Sequence, residues 1–384
     1  MNWTISMFDS EWSSISEIVI YGFGRQGKDY IELFEKYFKV LAIIDNGDKS
    51  SNDYRDIPIM KFKEYLCQGI KAKIVVTAAG QAYSSITSSL VECGKKEFVD
   101  FMNADVFYML WTWKTTQKLT VGRLAIPVTE KCTLRCEKCF ALIPYFKCPD
   151  NYGLDMLKEN ADLLFSVVDY VGCLNLAGGE PFLNPVIGKF INYLENNYSK
   201  NIGKIQIISN GTVLLTEETL VEMSKHKNVV VRLSDYLGSI AYGKRFHEVI
   251  EQFDKYRIDC RIEKLDEWVD LGFPGDSIKI SDTPNGIQEH MRNCNGKCQL
   301  YINGRYYYCG RQWSAEKAFG YELEEDDVLV LDVEKETTYR LKEKLLMYHL
   351  GNLSKGYCDY CNRCRGFDCG YAIKAAEQIK AKIQ

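Results

Sequence analysis

Short apolar runs alternate with amphipathic stretches along most of the chain. Residues 17–21 (Glu-Ile-Val-Ile-Tyr) form an apolar run that predicts a strand, and 28–38 have helical spacing. A second apolar run at 40–44 ends at Asp45. Further on, 73–77 read as a strand, 82–93 as a helix and 97–100 as a fourth strand. Alternating strands and helices predict a parallel sheet. Residues 106–121 open on Val106-Phe-Tyr-Met-Leu-Trp-Thr-Trp. That is too aromatic for a flexible linker and predicts a packed connecting helix.

A second series follows. Strands are predicted at 124–128, 171–177, 204–208, 229–233 and 260–263, with helices at 154–169, 185–196, 216–226 and 246–255 between them. Thr216 is the expected N-cap of the third helix, with Glu217 and Glu218 in the favoured first turn. Beyond 285 the pattern changes to a hairpin over 300–308 with Gly304 in its turn. An acidic stretch at 322–327 is expected to be a solvated loop. Helices are expected at 339–350 and 371–383, the last with a Lys/Glu face. The expected domains are 1–105, 122–285 and 286–384, with 106–121 connecting the first two.

The first unit carries Gly22-Phe-Gly24-Arg-Gln-Gly27 at a strand-to-helix turn and Asp45 just after the second strand. Glycines there permit a tight turn, and a helix N-terminus can hold an anion. The alternative is a tight turn and a loop carboxylate without a ligand. The layout resembles the small nucleotide-sugar-type, Rossmann-like domains attached to bacterial glycan-biosynthesis enzymes.

Cysteines carry the sharpest chemistry. Cys132-Thr-Leu-Arg-Cys136-Glu-Lys-Cys139 follows the strand at 124–128. Three thiolates so close can hold three corners of a four-iron cube, leaving one iron open. A zinc knuckle would favour paired C-x-x-C units and a fourth ligand. Gly178-Gly179-Glu180-Pro181 follows the next strand.

Together these motifs resemble the radical S-adenosylmethionine (SAM) superfamily over about residues 122–285. The resemblance implies an open, partial (β/α) barrel with active groups at the strand C-terminal ends. It implies a [4Fe–4S] cluster on Cys132, Cys136 and Cys139, with SAM chelating the open iron and yielding a 5′-deoxyadenosyl radical. Gly178, Gly179, Glu180 and Pro181 would meet the SAM amine. Ser209-Asn210-Gly211-Thr212 resembles the third-strand motif near the SAM carboxylate and ribose, and Ser234 would touch the ribose. Asp235 and Tyr236 would face substrate, with Glu263 and Arg311 as further candidates for substrate contacts or the base. Cys148 is the candidate hydrogen-atom donor of an epimerase; Cys173 and Cys260 read as small buried hydrophobes. Lys138 stands where many relatives have an aromatic residue near the adenine.

The C-terminal cysteines, Cys294, Cys298, Cys309, Cys358, Cys361, Cys364 and Cys369, resemble the SPASM/Twitch extension, which binds one or two auxiliary [4Fe–4S] clusters. The minimal set for one cluster would be Cys294 and Cys309 with two of Cys358, Cys361 and Cys364. A structural zinc ribbon is the alternative.

Composition narrows the rest. The chain has 384 residues, a net charge of −4 and no long basic run, which argues against nucleic-acid binding. No apolar run approaches a membrane span, and 15 cysteines without an export signal predict metal ligation in the cytoplasm. The expected function is a radical SAM oxidoreductase or epimerase acting on a carbohydrate or nucleotide-sugar in glycan biosynthesis, with flavodoxin or ferredoxin as electron donor. In the oxidative form the auxiliary cluster would accept the second electron. The alternatives are a maturase of a ribosomally made peptide and a non-catalytic iron–sulfur or zinc scaffold.

Overall fold

The structure is a computed structural model and describes residue 8 and residues 11–47, 52–78, 80–273, 276–294, 299–324, 327–351 and 357–380. The chain divides into two compact units, residues 1–117 with 292–296, and residues 118–291 with 297–384.

In the first unit β1 (Glu17–Tyr21), α1 (Arg25–Phe34), β2 (Lys39–Ile44), β3 (Asp53–Tyr54), β4 (Ile57–Met60), α2 (Phe62–Cys67), β5 (Lys73–Val76), α3 (Gly80–Glu92), β6 (Phe101–Asn103) and α4 (Ala104–Thr116) follow in order. The sheet runs β3-β4-β2-β1-β5-β6, parallel except for the β3–β4 hairpin. The chain works outward from β1 to β4, then returns to the other side of β1. That reversal leaves a crevice between the loops after β1 and β5. Ile18, Val19, Ile20, Ile74, Val75 and Val76 are fully buried, as a sheet covered on both faces requires.

Two expectations shift here. Residues 96–100 form a turn rather than a strand, because the Asp100 carboxylate accepts from the Lys96 N–H at 2.8 Å; β6 begins at Phe101. The connecting helix starts earlier and ends earlier than expected. Asn103 caps it by accepting from the Asp105 N–H, and Gln117, at φ 57°, ends it.

The second unit contains β7 (Thr120–Thr129), α5 (Leu154–Val167), β8 (Tyr170–Gly178), α6 (Ile187–Tyr198), β9 (Ile202–Ser209), α7 (Glu217–Ser224), β10 (Val229–Asp235), α8 (Gly243–Lys255), β11 (Asp259–Lys264), β12 (Glu267–Asp270), α9 (Pro284–Asn293), β13 (Leu300–Ile302), β14 (Arg305–Tyr307), α10 (Gly310–Phe319), β15 (Val328–Val330), α11 (Thr338–His349) and β16 (Tyr371–Lys374). Strands β7 to β11 pair in parallel in chain order, the open β/α sheet that the sequence predicts. Helix α5 shows why: Leu157, Ala161 and Leu164 recur on one face and are buried. Thr216 caps α7 as expected, accepting from the Thr219 N–H.

Three features of the C-terminal region differ from expectation. The cysteine-rich segment does not stand apart, since β13 pairs with the far edge of β7 and β14 and β15 extend the same eight-stranded sheet. The expected hairpin is present, its turn placing Asn303 and Gly304 at φ 52° and 71°, the positive pair that a two-residue hairpin favours. The helix expected at 371–383 is absent across its described part. Strand β16 pairs antiparallel with β12, residues 375–376 turn with Ala376 at φ 55°, and Gln378 then bridges antiparallel to Cys136. Sheet pairing overrides a local helical pattern there. Asp327, expected in a solvated loop, is fully buried, and its carbonyl accepts from the Tyr348 hydroxyl and the Gln312 amide.

Candidate active site

The loop after β7 presents Cys132, Cys136 and Cys139 at the C-terminal end of the parallel strands. Burial pushes the Cys132 thiol up to about 12 and Cys136 to about 11, and raises Cys139 as well. The three thiols lie close enough to raise one another. Thiols held this high are inert alone; a bound metal would displace their protons. N–H donors already point at the sulfurs. Cys132 Sγ accepts from the Leu134 N–H at 3.5 Å and from Asn210 Nδ2 at 3.6 Å. Cys136 Sγ accepts from Gln378 Nε2 at 3.2 Å, and backbone N–H groups of Ile143, Ala141 and Leu142 serve Cys139. Buried thiols ringed by N–H donors are a donor set that fits a cysteine-held cluster.

The glycines of the second motif are required by the chain's own packing. A Cβ on Gly178 would lie 2.0 Å from the Thr129 carbonyl oxygen, and one on Gly179 would lie 1.9 Å from that of Lys131. Gly178 also sits at φ 121°. The end of β8 thereby hydrogen-bonds the cluster loop, Gly179 N–H to Thr129 O at 3.0 Å and Glu180 N–H to Lys131 O at 2.8 Å. Pro181 opens a buried single-turn 3-10 helix.

Glu180 is fully buried and braces two motifs. Its carboxylate accepts from Ser209 Oγ at 2.9 Å, the Asn210 N–H at 2.7 Å and the Phe182 N–H at 3.2 Å. Asn210 in turn donates to Thr133 Oγ1 at 3.1 Å. Three acceptor positions of Glu180 are therefore filled from within. Burial raises its pKa to about 7 despite those donors. The folded protein then holds a proton that the unfolded chain, near 4.5, releases. Between these values the folded state binds more protons, so stability falls as pH rises through that window. In the metal-free protein, denaturant titration at pH 5 and pH 8 should show a loss of about 2.5 kcal/mol that Glu180→Gln removes.

At the end of β10, Ser234 is buried and Asp235 accepts from the Leu237 N–H at 2.8 Å. Tyr236 stands edge-on to Trp268 at 5.5 Å. Burial raises its phenol, and the charges of Cys136 and Cys139 add to that, which puts Tyr236 beside the cluster loop. Glu263 pairs with Arg232, and Cys148 is exposed in the loop beyond the cluster motif. Cys173 is buried, and Cys260 is half-buried. Lys138 is held away from any adenine role: its ammonium pairs with Asp270 at 3.2 Å and lies 4.4 Å from the Phe273 ring centre. Arg311 is 3% exposed and bonded to internal carbonyls, so it is not a substrate contact.

The structure gathers part of the second cysteine set around the start of α10. Cys309 is the N-cap of that helix. Gln312 ties Cys309 to Cys358: its carbonyl accepts from the Cys309 N–H at 3.0 Å, and its amide donates to Cys358 Sγ at 3.0 Å. The carbonyl of Cys364 meets His290 Nε2 at 2.9 Å. The Cys361 N–H donates to Cys358 O at 3.1 Å, and Cys369 is exposed in a one-turn helix. Cys294 falls to the other compact unit, and Cys298 lies outside the described residues.

In the first unit a cavity of about 440 Å³ opens at the crevice, lined by Gly22, Gly24, Gly27, Asp45, Asn46 and Thr77 among others. A Cβ on Gly27 would lie 2.1 Å from the Gly22 carbonyl oxygen, so this glycine lets helix and strand approach. A Cβ on Gly24 would meet nothing within 4 Å, so this glycine faces open space. The Asp45 carboxylate accepts from the Phe23 and Gly47 N–H groups, fixing the glycine loop.

Gln378, Asp270 and Gln312 belong to the site but lie in no motif; only the folded chain brings them to it.

The parallel strands, the three-cysteine loop and the two braced motifs define a cluster-binding β/α domain. Residues 126–291 match the Radical SAM superfamily. The chain is 25% identical to GTP 3′,8-cyclase 3 of Mycobacterium bovis and of Mycobacterium tuberculosis over 209 residues. The match covers 52% of this chain and 53% of each relative, so the chain spans about half the length of these curated relatives. Similar solved structures include native anSMEcpe with bound AdoMet, at 15% identity, TM-score 0.40, 65% of this chain and 88% of that one. BtrN in complex with AdoMet and 2-DOIA is similar at 13% identity, TM-score 0.39, 68% and 96%. Streptococcus suis SuiB bound to precursor peptide SuiA is similar at 16% identity, TM-score 0.30, 56% and 50%. The superfamily implies a [4Fe–4S] cluster and SAM. No helix among the described residues is long and apolar enough to cross a membrane.

Proposed function

We propose that the chain is a radical SAM oxidoreductase or epimerase acting on a carbohydrate carried on a nucleotide. The observation that carries this reading is the occurrence in one chain of a glycine-loop cavity of a size for a nucleotide and a cluster loop that fits SAM chemistry. The two features occur in one chain, in separate compact units. A relative whose name specifies GTP as substrate supports a nucleotide-containing small molecule over a peptide.

Cys132, Cys136 and Cys139 would hold the cluster. When bound, the cluster and SAM supply a 5′-deoxyadenosyl radical that takes a substrate hydrogen. The chain's own residues do the placing. Glu180 and Asn210 lock the two strand ends to the cluster loop, and Glu180 has one acceptor position left for the SAM amine. Ser209 and Ser234 lie on the same strand ends, where a ribose would rest. Asp235 and Tyr236 would face the substrate and hold or move its hydroxyl proton. Cys309, Cys358 and Cys364, with Cys361, would hold an auxiliary cluster. Gly22, Gly24, Gly27 and Asp45 would frame the nucleotide, with Gly24 at the point of closest approach. An external flavodoxin or ferredoxin would supply the electron.

The test is anaerobic reconstitution with SAM, dithionite and a panel of deuterated nucleotide-sugars and peptides. Deuterium should enter 5′-deoxyadenosine from a nucleotide-sugar. Transfer from a peptide alone would replace this reading with the maturase, and no 5′-deoxyadenosine at all would leave a non-catalytic scaffold.

A further inference from the structure

Arg311 has an environment that the proposed chemistry does not by itself require. It is the second residue of α10, two residues after the capping Cys309, and is 3% exposed. Its guanidinium joins three separate segments. Nη1 donates to Phe140 O at 3.1 Å, next to Cys139. Nη2 donates to Gly272 O. Nε donates to the Tyr360 hydroxyl at 3.3 Å, between Cys358 and Cys361. The guanidinium also lies 5.9 Å from the centre of the Phe140 ring.

Every one of these partners is neutral. Among the described residues no carboxylate pairs with Arg311. The nearby acid, Asp270, is already matched by Lys138 and Arg365, each at 3.2 Å. Burying a guanidinium without a counter-charge costs several kcal/mol, so such a residue implies an anion. Cysteine sulfurs are the groups positioned to be that anion. Cys309 lies two residues before Arg311, Phe140 follows Cys139, and Tyr360 lies between Cys358 and Cys361, so the guanidinium's bonds reach the segments that carry both cysteine sets. A cube held by four thiolates carries a net charge of about −2, which matches the missing partner.

We infer that Arg311 is the buried counter-cation shared by the two cysteine sets, acting on an anionic cluster at Cys309, Cys358 and Cys364 as well as on the cluster loop. The inference rests on the proposed reading that those C-terminal cysteines hold a cluster. A fixed positive charge stabilises the more negative, reduced state, so Arg311 favours electron uptake by the C-terminal cluster. It acts as a positioning and tuning residue and touches no substrate.

The test uses the full chain, metal-free and anaerobically reconstituted, as wild type, Arg311→Met and Arg311→Lys. Two readouts are taken: denaturant stability, and the midpoint of the C-terminal cluster by potentiometric EPR titration. Arg311→Met should cost more stability in the reconstituted protein than in the metal-free one. Its C-terminal cluster should be about tenfold less reduced at fixed potential, about 59 mV for one electron. Arg311→Lys, which keeps the charge, should recover most of both. Equal losses in the two forms with an unmoved midpoint would show a hydrogen-bonding brace and overturn the inference. A separate variant, Cys358→Ala with Cys364→Ala, tests the reading beneath it. Lost iron in that variant together with an unmoved Arg311→Met midpoint sinks the inference alone. Iron retained in full sinks both.

Discussion

Replacing Cys132, Cys136 and Cys139 together by alanine is expected to remove about four irons per chain and abolish 5′-deoxyadenosine formation. The expected loss is all-or-none because the three thiols lie together on one loop and each already has its N–H donors. Without their sulfurs nothing in the loop replaces the charge. The fold should survive, since each lost sulfur is a small change of about 1 kcal/mol, roughly 3 kcal/mol for the three. Iron at the C-terminal cysteines should remain, because Cys309 and Cys358 are held by Gln312 and not by the loop. The reciprocal variant, Cys309, Cys358 and Cys364 to alanine, should keep SAM cleavage and lose the other iron. Iron analysis and chromatography of the SAM products check both. Unchanged iron in the first variant would falsify the assignment of the loop.

The β/α sheet was legible because its strands are apolar on both faces and its helices have one buried stripe, as in α5. Motif residues were legible because their spacing is local. What each motif does was less legible. The glycines at 178 and 179 were expected to admit SAM, yet the backbone carbonyls of Thr129 and Lys131 already exclude a side chain there. Glu180 was expected to face the SAM amine, and it mainly holds Ser209 and Asn210. Both facts depend on how β7, β8 and β9 end beside one another, which no single segment encodes. Arg311 was legible as a charge, but its neutral surroundings come from three segments far apart in sequence. The C-terminal strand was misread for a similar reason. Its helical pattern is local, whereas its partners, β12 and the cluster loop, lie more than a hundred residues earlier.

That misread segment gives the other large effect. The Glu137 N–H donates to Glu377 O at 2.7 Å, and the Ile379 N–H to Arg135 O at 2.8 Å. Gln378 adds two bonds, accepting from the Arg135 N–H at 2.7 Å and donating to Cys136 Sγ at 3.2 Å. Residues 377–379 thus bridge the cluster loop, and Gln378 contributes a donor to a cluster sulfur. Four such bonds contribute roughly 3 kcal/mol against local opening, at somewhat under 1 kcal/mol each. Ending the chain after Ala376 should therefore raise the rate at which a ferrous chelator strips the loop's iron by about 100-fold. Ending it after Lys380, which keeps all four bonds, should change nothing. Gln378→Ala keeps the backbone pairing and should fall between the two, near tenfold. A chelator chase on the anaerobically reconstituted protein measures all three. If the Ala376 truncation releases iron no faster than the Lys380 truncation, the segment lies on the loop without protecting it. The N–H donor on Cys136 would then need another role, which the midpoint of the loop's cluster in Gln378→Ala would reveal.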